Sequence, residues 1–398
     1  MTERLYYSDP YLREFDASVA ERTSHDGRPA VILDRTAFYP ASGGQPFDTG
    51  TLGGVNVVEV IDRDDGSVLH VLDRDIDGSG VHGTIDWERR FDHMQQHTGQ
   101  HVLSAAFDRV ANARTESFHL GVDYSTIDLA REVSAADVAR AEAAANRVLW
   151  EDRPVVIRFA TSEEAAGLPL RKESRREGTL RLIDVQDFDL SACGGTHVSR
   201  TGAIGIIVVS ATERFRGGTR VTFLCGGRAL HDYRGLRDAV AGSVRALSVL
   251  PADLPSAIER MQADAKELRR QVKDLQSRVA AQEAEALAGN ASAIGSIKLV
   301  TAALPGWDAG GLKIIAARIV ERRGHVVVLV SEPAPANIVV GRAADVSQDA
   351  GAILRALVSR HGGKGGGRPE MAQGGGLTSP AADVLATARE LVQQTARQ

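Results

Sequence analysis

The sequence predicts an α+β fold, and three observations carry that prediction. The first 85 residues read as short β-rich runs broken by Gly, Asp and Ser turns. A long amphipathic helix then opens at Asp86, and the strands and helices after it mix without regular βαβ alternation. From Leu254 an apolar seam at heptad spacing takes over, followed by strand and helix patterns in turn. The 398 residues make two or three domains at roughly 100–200 residues each.

The N-terminal runs PAVILDRTAFYP, GTLGGVNVVEVIDR and GSVLHVLDR suggest a β-barrel-like domain over residues 1–85. Between them lies FYPASGGQP, residues 38 to 46, whose Gly43 and Gly44 can bring backbone close to a ligand. Asp86 is a good N-cap for a helix through WERRFDHMQQHTGQHVLSAAFDRV, with Phe91, Met94, Val102, Ala105 and Ala106 on its buried face. Strands are expected at STIDLA, RPVVIRFA, TLRLIDVQDFDL, IGIIVVSATERF and TRVTFLCG, and a helix at AADVARAEAAANRVLWE. Ile258, Met261, Ala265, Leu268, Val272, Leu275 and Val279 then step by three and four, the pattern of a coiled-coil arm over 251–290. GNASAIGS, residues 289 to 296, reads as a linker. Residues 291–398 read as a small α/β domain ending in the glycine-rich loop GGKGGGRPEMAQGGG.

Composition excludes several classes. Hydrophobic content of 43% and charged content of 25% are ordinary for a globular chain, and no apolar run is long enough to span a bilayer. MTERLYYSDPYLREF carries charges where a signal peptide needs its apolar core. Two cysteines make no disulfide framework, so the expected home is a reducing cytoplasm. Net charge of −5 means that any nucleic-acid binding must rest on local basic patches.

Two short motifs carry chemistry. ACGGTH places Cys193 four positions before His197, and HTGQH places His97 and His101 one turn apart on one helical face. Cysteine alone often packs as a small hydrophobe. Two pairs of matching spacing, however, supply the four donors of a tetrahedral zinc site. His93 lies on the same helical face and is the rival ligand, ranked below His101 because it breaks the matched spacing. Asp187 and Asp189 could orient a histidine, although solvated strand-end carboxylates are the commoner case. Cys225, in a strand, is expected to be packed.

FYPASGGQPFDTG, QQHTGQH and ACGGTHVSRTGAIG, in that order, resemble the freestanding alanyl-tRNA editing proteins called AlaX and the editing domain of alanyl-tRNA synthetase. The heptads and GGKGGGRPEMAQGGG look like the C-terminal domain that the long AlaX form shares with the synthetase. The resemblance implies a zinc-binding editing domain over 86–250 and a tRNA-binding or dimerisation domain over 291–398. It implies a deacylase that acts on tRNA(Ala) mischarged with serine and, less uniformly, glycine. No segment looks like an aminoacylation domain, so editing without charging is expected. His97, His101, Cys193 and His197 match the family's zinc ligands, one ion per chain. Thr36 matches a threonine that holds the serine hydroxyl, and Gly43, Gly44 and Gln45 match the glycine-rich loop beside the site. Gln100 stands where synthetase editing domains carry threonine, and ESFHLG departs from their Gln-Lys-Gly run.

Two mechanisms are compatible with these donors: a zinc-activated water, or a closed zinc that only positions the tRNA end while another water attacks. RKESRREGTLR gathers Arg171, Lys172, Arg175, Arg176 and Arg181 as candidate phosphate contacts, and Lys364 and Arg368 lie among glycines whose N–H groups can also meet phosphate. GGKG is not a P-loop, because Gly follows Lys364. The rival readings are a zinc hydrolase of small esters and a catalytically silent, zinc-containing tRNA-binding protein. The C-terminal arm is expected either to pair with a second copy, giving a homodimer, or to fold back as one long hairpin.

Overall fold

The computed structural model describes residues 1–172 and 178–396. It is mixed α+β and divides into two compact units, Met1–Ser243 and Val244–Gln398. Among the described residues no helix is long and apolar enough to cross a membrane.

The first unit begins with a closed six-stranded barrel. Its strands run Glu14–His25, Arg28–Leu33, Val68–Leu72, Val55–Asp62, Gly50–Leu52 and Gly80–Ile85 around the wall. Alternating residues such as Phe15, Val31, Leu33, Val57 and Leu72 fill its core, which closure leaves without an exposed edge.

Helix α1 (Trp87–Ala111) starts at Asp86, whose side chain accepts from the Arg89 N–H, and ends at Asn112 in the left-handed conformation. Met94, Val102, Ala105 and Ala106 are buried, as the periodicity predicts, and Phe91 is half-buried. Helix α2 (Ala135–Trp150) opens with a Ser134–Asp137 capping box and packs on α1. Four antiparallel strands, in the order Ile207–Phe215, Gly218–Cys225, Ser125–Leu129 and Thr115–Leu120, share this core. Val155–Thr161, Thr179–Val185 and Asp189–Ala192 form a second, three-stranded sheet, and the short α3 (Ser162–Ala166) packs on it. Sequence periodicity missed Thr115–Leu120, which is Thr115 followed by the ESFHL of ESFHLG, and helix α4 (Gly226–Leu247), within which the division between the units falls.

The second unit opens with α5 (Leu254–Gly289), whose Ala280, Ala284 and Ala288 pack on α6 (Ala309–Val320). Six strands form its sheet, in the order Ser292–Ile294, Ile297–Pro305, His325–Glu332, Ala336–Arg342, Met371–Leu377 and Lys364–Gly367. Helices α7 (Ala350–His361) and α8 (Ala381–Thr395) complete it. Two expectations are corrected here. The linker contains the strand Ser292–Ile294, and the glycine-rich loop is an antiparallel hairpin with Lys364 paired to Gly375. Glycines lack the side chains that mark a strand by alternation, so the pairing left no period to read.

One buried ion pair ties the barrel segment to α1. Arg90 and Asp48 are both fully buried; Arg90 Nε donates to Asp48 Oδ1 at 3.0 Å, Nη1 to the Pro10 carbonyl at 2.8 Å, and Nη2 to the Ala37 carbonyl. Asp48 also accepts from the Tyr39 N–H. Removing one partner strands a buried charge. Asp48→Ala should therefore cost about 3–5 kcal/mol in urea denaturation; an unchanged midpoint would refute the clamp.

Candidate metal centre

Helix α1 brings His97 and His101 to one face, and the turn after Asp189–Ala192 brings Cys193 and His197 to meet them. One ligand atom from each of the four lies within 4.8 Å of all the others, a group that could hold a metal ion. His97 Nε2 and His197 Nε2 stand 3.4 and 3.3 Å from Cys193 Sγ. His93 is not in the group. It is buried, its Nδ1 has no hydrogen-bond partner among the described residues, and burial with the charges of Arg89 and Arg228 pushes its pKa down to about 3.

Every ring is held by its other nitrogen. His97 Nδ1–H donates to Gln45 Oε1 at 2.7 Å, His101 Nδ1–H to Asp189 Oδ2 at 3.0 Å, and His197 Nδ1–H to Thr98 Oγ1 at 3.2 Å. With Nδ1 engaged in this way, each Nε2 faces the centre, the arrangement that metal-binding histidines need. Asp189 is thus a buried orienting group and not a solvated one, which corrects the expectation from its strand-end position. Arg171 Nε donates to its other oxygen at 2.6 Å. Asp187 stands in a turn at positive φ and holds no ring.

Burial opposes charge throughout, but the groups share protons. Burial disfavours a charged His101, yet the hydrogen bonds to Asp189 and Cys193 outweigh it and hold its pKa up at about 9. Burial would raise the Cys193 thiol; the surrounding imidazoles overcome that and hold it well below its ordinary value. Burial pushes His197 down to about 3. Thiolate and neutral imidazole are the forms that bind a metal.

Two glycines are needed for this approach. A Cβ on Gly195 would sit 2.2 Å from the His97 ring, and one on Gly99 would sit 2.3 Å from Sγ of the packed Cys225. Gln45 completes the frame. Its Nε2 donates to Thr196 Oγ1 at 2.8 Å, and its Oε1 accepts from the Thr196 N–H as well as from His97.

Two cavities meet at Gly43, His97 and Cys193. The larger, about 370 Å³, is lined by Gln100, Glu116, Phe118, Arg171 and Lys172. The smaller, about 130 Å³, is lined by Arg4, Tyr6, Tyr7, Tyr39 and Asp62 on the barrel side. Gln100 donates to Ser104 Oγ at 2.8 Å. Gly44 sits outside both linings, at φ +87 and close to the Phe118 carbonyl. Thr36 lies apart from both cavities. It is fully buried, its hydroxyl is 2.8 Å from His70 Nε2, and it accepts from the Phe38 N–H.

Of the basic run, Arg171 is committed to Asp189 and Ser191, while Lys172 is exposed. Arg181 is buried and donates to the Cys193 and Gly195 carbonyls, so it braces the metal turn instead of facing solvent. Arg175 and Arg176 lie outside the described residues. Lys364 and Arg368 are exposed on the glycine hairpin of the second unit. Sequence reasoning missed Tyr6, Tyr7, Glu116 and the bracing by Arg181, since none belongs to a motif with its own spacing.

Residues 180–221 match the "Threonyl and Alanyl tRNA synthetase second additional domain" and residues 296–398 match the "DHHA1 domain". The alanyl-tRNA editing protein AlaX-L of Pyrococcus horikoshii is 31% identical over 94% of this chain and 94% of its own length. The chain belongs to the AlaX-L family of alanyl-tRNA editing proteins. The alanine–tRNA ligase of Pyrococcus furiosus is 34% identical over 94% of this chain but only 42% of the ligase, and that of Halobacterium salinarum is 37% identical over 97% of this chain and 44% of the ligase. The chain thus spans under half the length of these ligases. In this family member, Asp189→Asn should weaken divalent-metal affinity about 10–100-fold, because it removes the charge that orients His101. Competition with a chromophoric chelator measures it, and equal affinities would remove Asp189 from the site.

Proposed function

We propose that this chain hydrolyses the ester joining serine to the terminal ribose of mischarged tRNA(Ala), with Gly-tRNA(Ala) as a second substrate and one zinc ion per chain. The observation that carries the reading is the four-donor centre at the junction of two cavities, one small and one large enough for part of a nucleotide. The donor set fits zinc. Ordinary Zn–N and Zn–S lengths in a tetrahedron imply N···S edges of about 3.5 Å, and the two recorded here are 3.3 and 3.4 Å. Serine is the expected error because a pocket for alanine rejects a small added hydroxyl poorly, so a second, hydrolytic site is needed.

Hydrolysis adds a water oxygen to the acyl carbon, breaks the bond from that carbon to the ribose oxygen, and delivers a proton to that oxygen. Free serine and intact tRNA result. His97, His101, Cys193 and His197 would hold the zinc, which when bound would supply positive charge to polarise the ester. Gln45, Asp189 and Thr98 keep the three rings in the ligating tautomer. Gln100 and Glu116 line the larger cavity, where Glu116 offers a carboxylate as proton acceptor. Gly43, Gly44 and Gln45 place the loop against the metal turn, and Lys172, Lys364 and Arg368 offer exposed cations to phosphate. Thr36 keeps an indirect part in this scheme, holding the Phe38 backbone next to the loop.

The test is release of labelled serine from Ser-tRNA(Ala), with free seryl esters as the control substrate. Zinc-loaded protein should deacylate the tRNA, and Cys193→Ala should lose both metal and activity. Freshly purified protein without metal, or equal cleavage of free esters, would sink the reading.

Helix α5 carries the second part of the proposal. Ile258, Met261, Leu268, Val272, Leu275 and Val279 are all exposed along it at heptad spacing. Such a seam is covered by a second copy of the same seam, which makes the protein a homodimer. A chain ending near Pro251 should keep its metal, sediment as a monomer and bind tRNA less tightly. An intact protein that sediments at monomer mass would exclude the pairing.

A further inference from the structure

Helix α1 and the strand Thr115–Leu120 each supply part of the wall of the larger cavity, with His97, Gln100 and His101 on one and Glu116 and Phe118 on the other. Two ties hold these walls together. At the start of the strand, Thr115 Oγ1 donates to Ser104 Oγ on α1 at 2.7 Å. Just past its end, Arg228 joins both sides. Its Nε and Nη2 donate to Asp92 of α1 at 2.8 and 2.6 Å, and its Nη1 donates to the Gly121 carbonyl at 2.8 Å. Every nitrogen of the guanidinium is therefore engaged within the fold, and the side chain is only 11% exposed. The strand end also reaches the glycine loop, since the Leu120 N–H donates to the Gly44 carbonyl at 3.1 Å.

Arg228 is itself held in place. It lies in the first turn of α4, and the root of that helix is seated on the stretch of α1 that carries His97. The Cys225 N–H donates to Gln96 Oε1 at 2.9 Å, and Gln96 Nε2 donates to the Cys225 carbonyl at 3.0 Å. Gly226 stands at φ +50, and a Cβ there would meet the Gln95 side chain at 2.4 Å. A planar fork on a fixed base sets distance and direction together, which a flexible ammonium does not.

We propose that Arg228 is a positioning residue for the deacylation: it fixes the spacing between the α1 wall and the strand wall of the larger cavity. This inference rests on the ester-hydrolase reading above and adds the group that sets the width of the cavity. Arg228 lines two other clefts but not the larger cavity, so it acts through α1 and the strand without touching substrate. The four donors and the groups that orient their rings lie elsewhere, so metal binding does not depend on it. Reaction geometry does. A displacement on the order of 1 Å in a group that positions substrate can cost about a hundredfold in rate.

The experiment is single-turnover deacylation of Ser-tRNA(Ala) over a range of protein concentrations, by full-length, zinc-loaded native protein, Arg228→Met and Arg228→Lys. In both variants the saturating rate should fall about 10–100-fold, while the half-saturating concentration stays within about twofold of native. Lysine keeps the charge but cannot reach Asp92 and Gly121 together. Competition with a chromophoric chelator should find metal affinity unchanged to within about twofold in each variant. A native saturating rate in Arg228→Lys means that charge alone suffices, and overturns the inference. A loss confined to the half-saturating concentration makes Arg228 an RNA contact and overturns it too, as does loss of metal in step with the rate. Asp92→Asn keeps the shape of the α1 partner without its charge, and it decides the matter if neither Arg228 variant folds. A lower saturating rate with native metal affinity and half-saturation upholds the inference there, and an unchanged rate overturns it. Each of these results leaves the hydrolase reading standing, whereas a native protein that cleaves no Ser-tRNA(Ala) overturns both.

Discussion

The Arg90–Asp48 pair is the interaction on which the rest of the site depends. It is fully desolvated, and three further groups hydrogen-bond to it: the Pro10 carbonyl of the N-terminal segment, and the Ala37 carbonyl and Tyr39 N–H from the stretch after the second barrel strand. A pair of this kind is weak evidence for stability, since an apolar replacement often serves as well. Its geometry shows its use here. Asp48 is three residues from Gln45, and Arg90 is two helical turns from His97. Locking the first two residues together therefore delivers Gln45 to the His97 ring.

From that lock the order propagates outward through hydrogen bonds that are each directional. Gln45 joins His97 to Thr196, Thr98 joins His197 to the Val198 backbone, and Asp189 joins His101 to Arg171 and Ser191. Four chain segments distant in sequence are held by side chains that also set histidine tautomers. Arg181 closes the circuit by binding the Cys193 and Gly195 carbonyls while its Nε donates to the Tyr7 carbonyl. Barrel, helix and metal turn are thus tied at one place, and that place is the boundary between the two cavities.

Much of this was legible in the sequence because helices and barrels impose periods. The x-x-x spacing of His97 and His101 implied one face of a helix, and the alternating early runs implied a barrel of the kind found. Outer-shell groups have no period. Asp189 looked like a solvated carboxylate because its partner His101 is 88 residues away, and Arg181 looked like part of a basic run because charge runs are usually solvated. The strand Lys364–Gly367 escaped because glycine erases the alternation by which strands are read. Helix α4 was readable by the same rule, since Leu230, Tyr233, Leu236 and Val240 step by three and four, although the structure leaves them exposed.

The distribution of unsatisfied groups says where the fold gave up stability. Among the described residues, four buried side-chain atoms lack a partner: Tyr6 Oη, His93 Nδ1, Ser125 Oγ and Arg181 Nη2. Three of the four belong to residues at or beside the metal centre. Tyr6 lines the small cavity, His93 stands one turn before His97, and Arg181 braces the turn that bears Cys193. The C-terminal unit, with its own apolar core, contributes none. Local rules of polar satisfaction are expected to fail where a site is built to receive something. Among the described residues they fail around the four-donor group and not in the second unit.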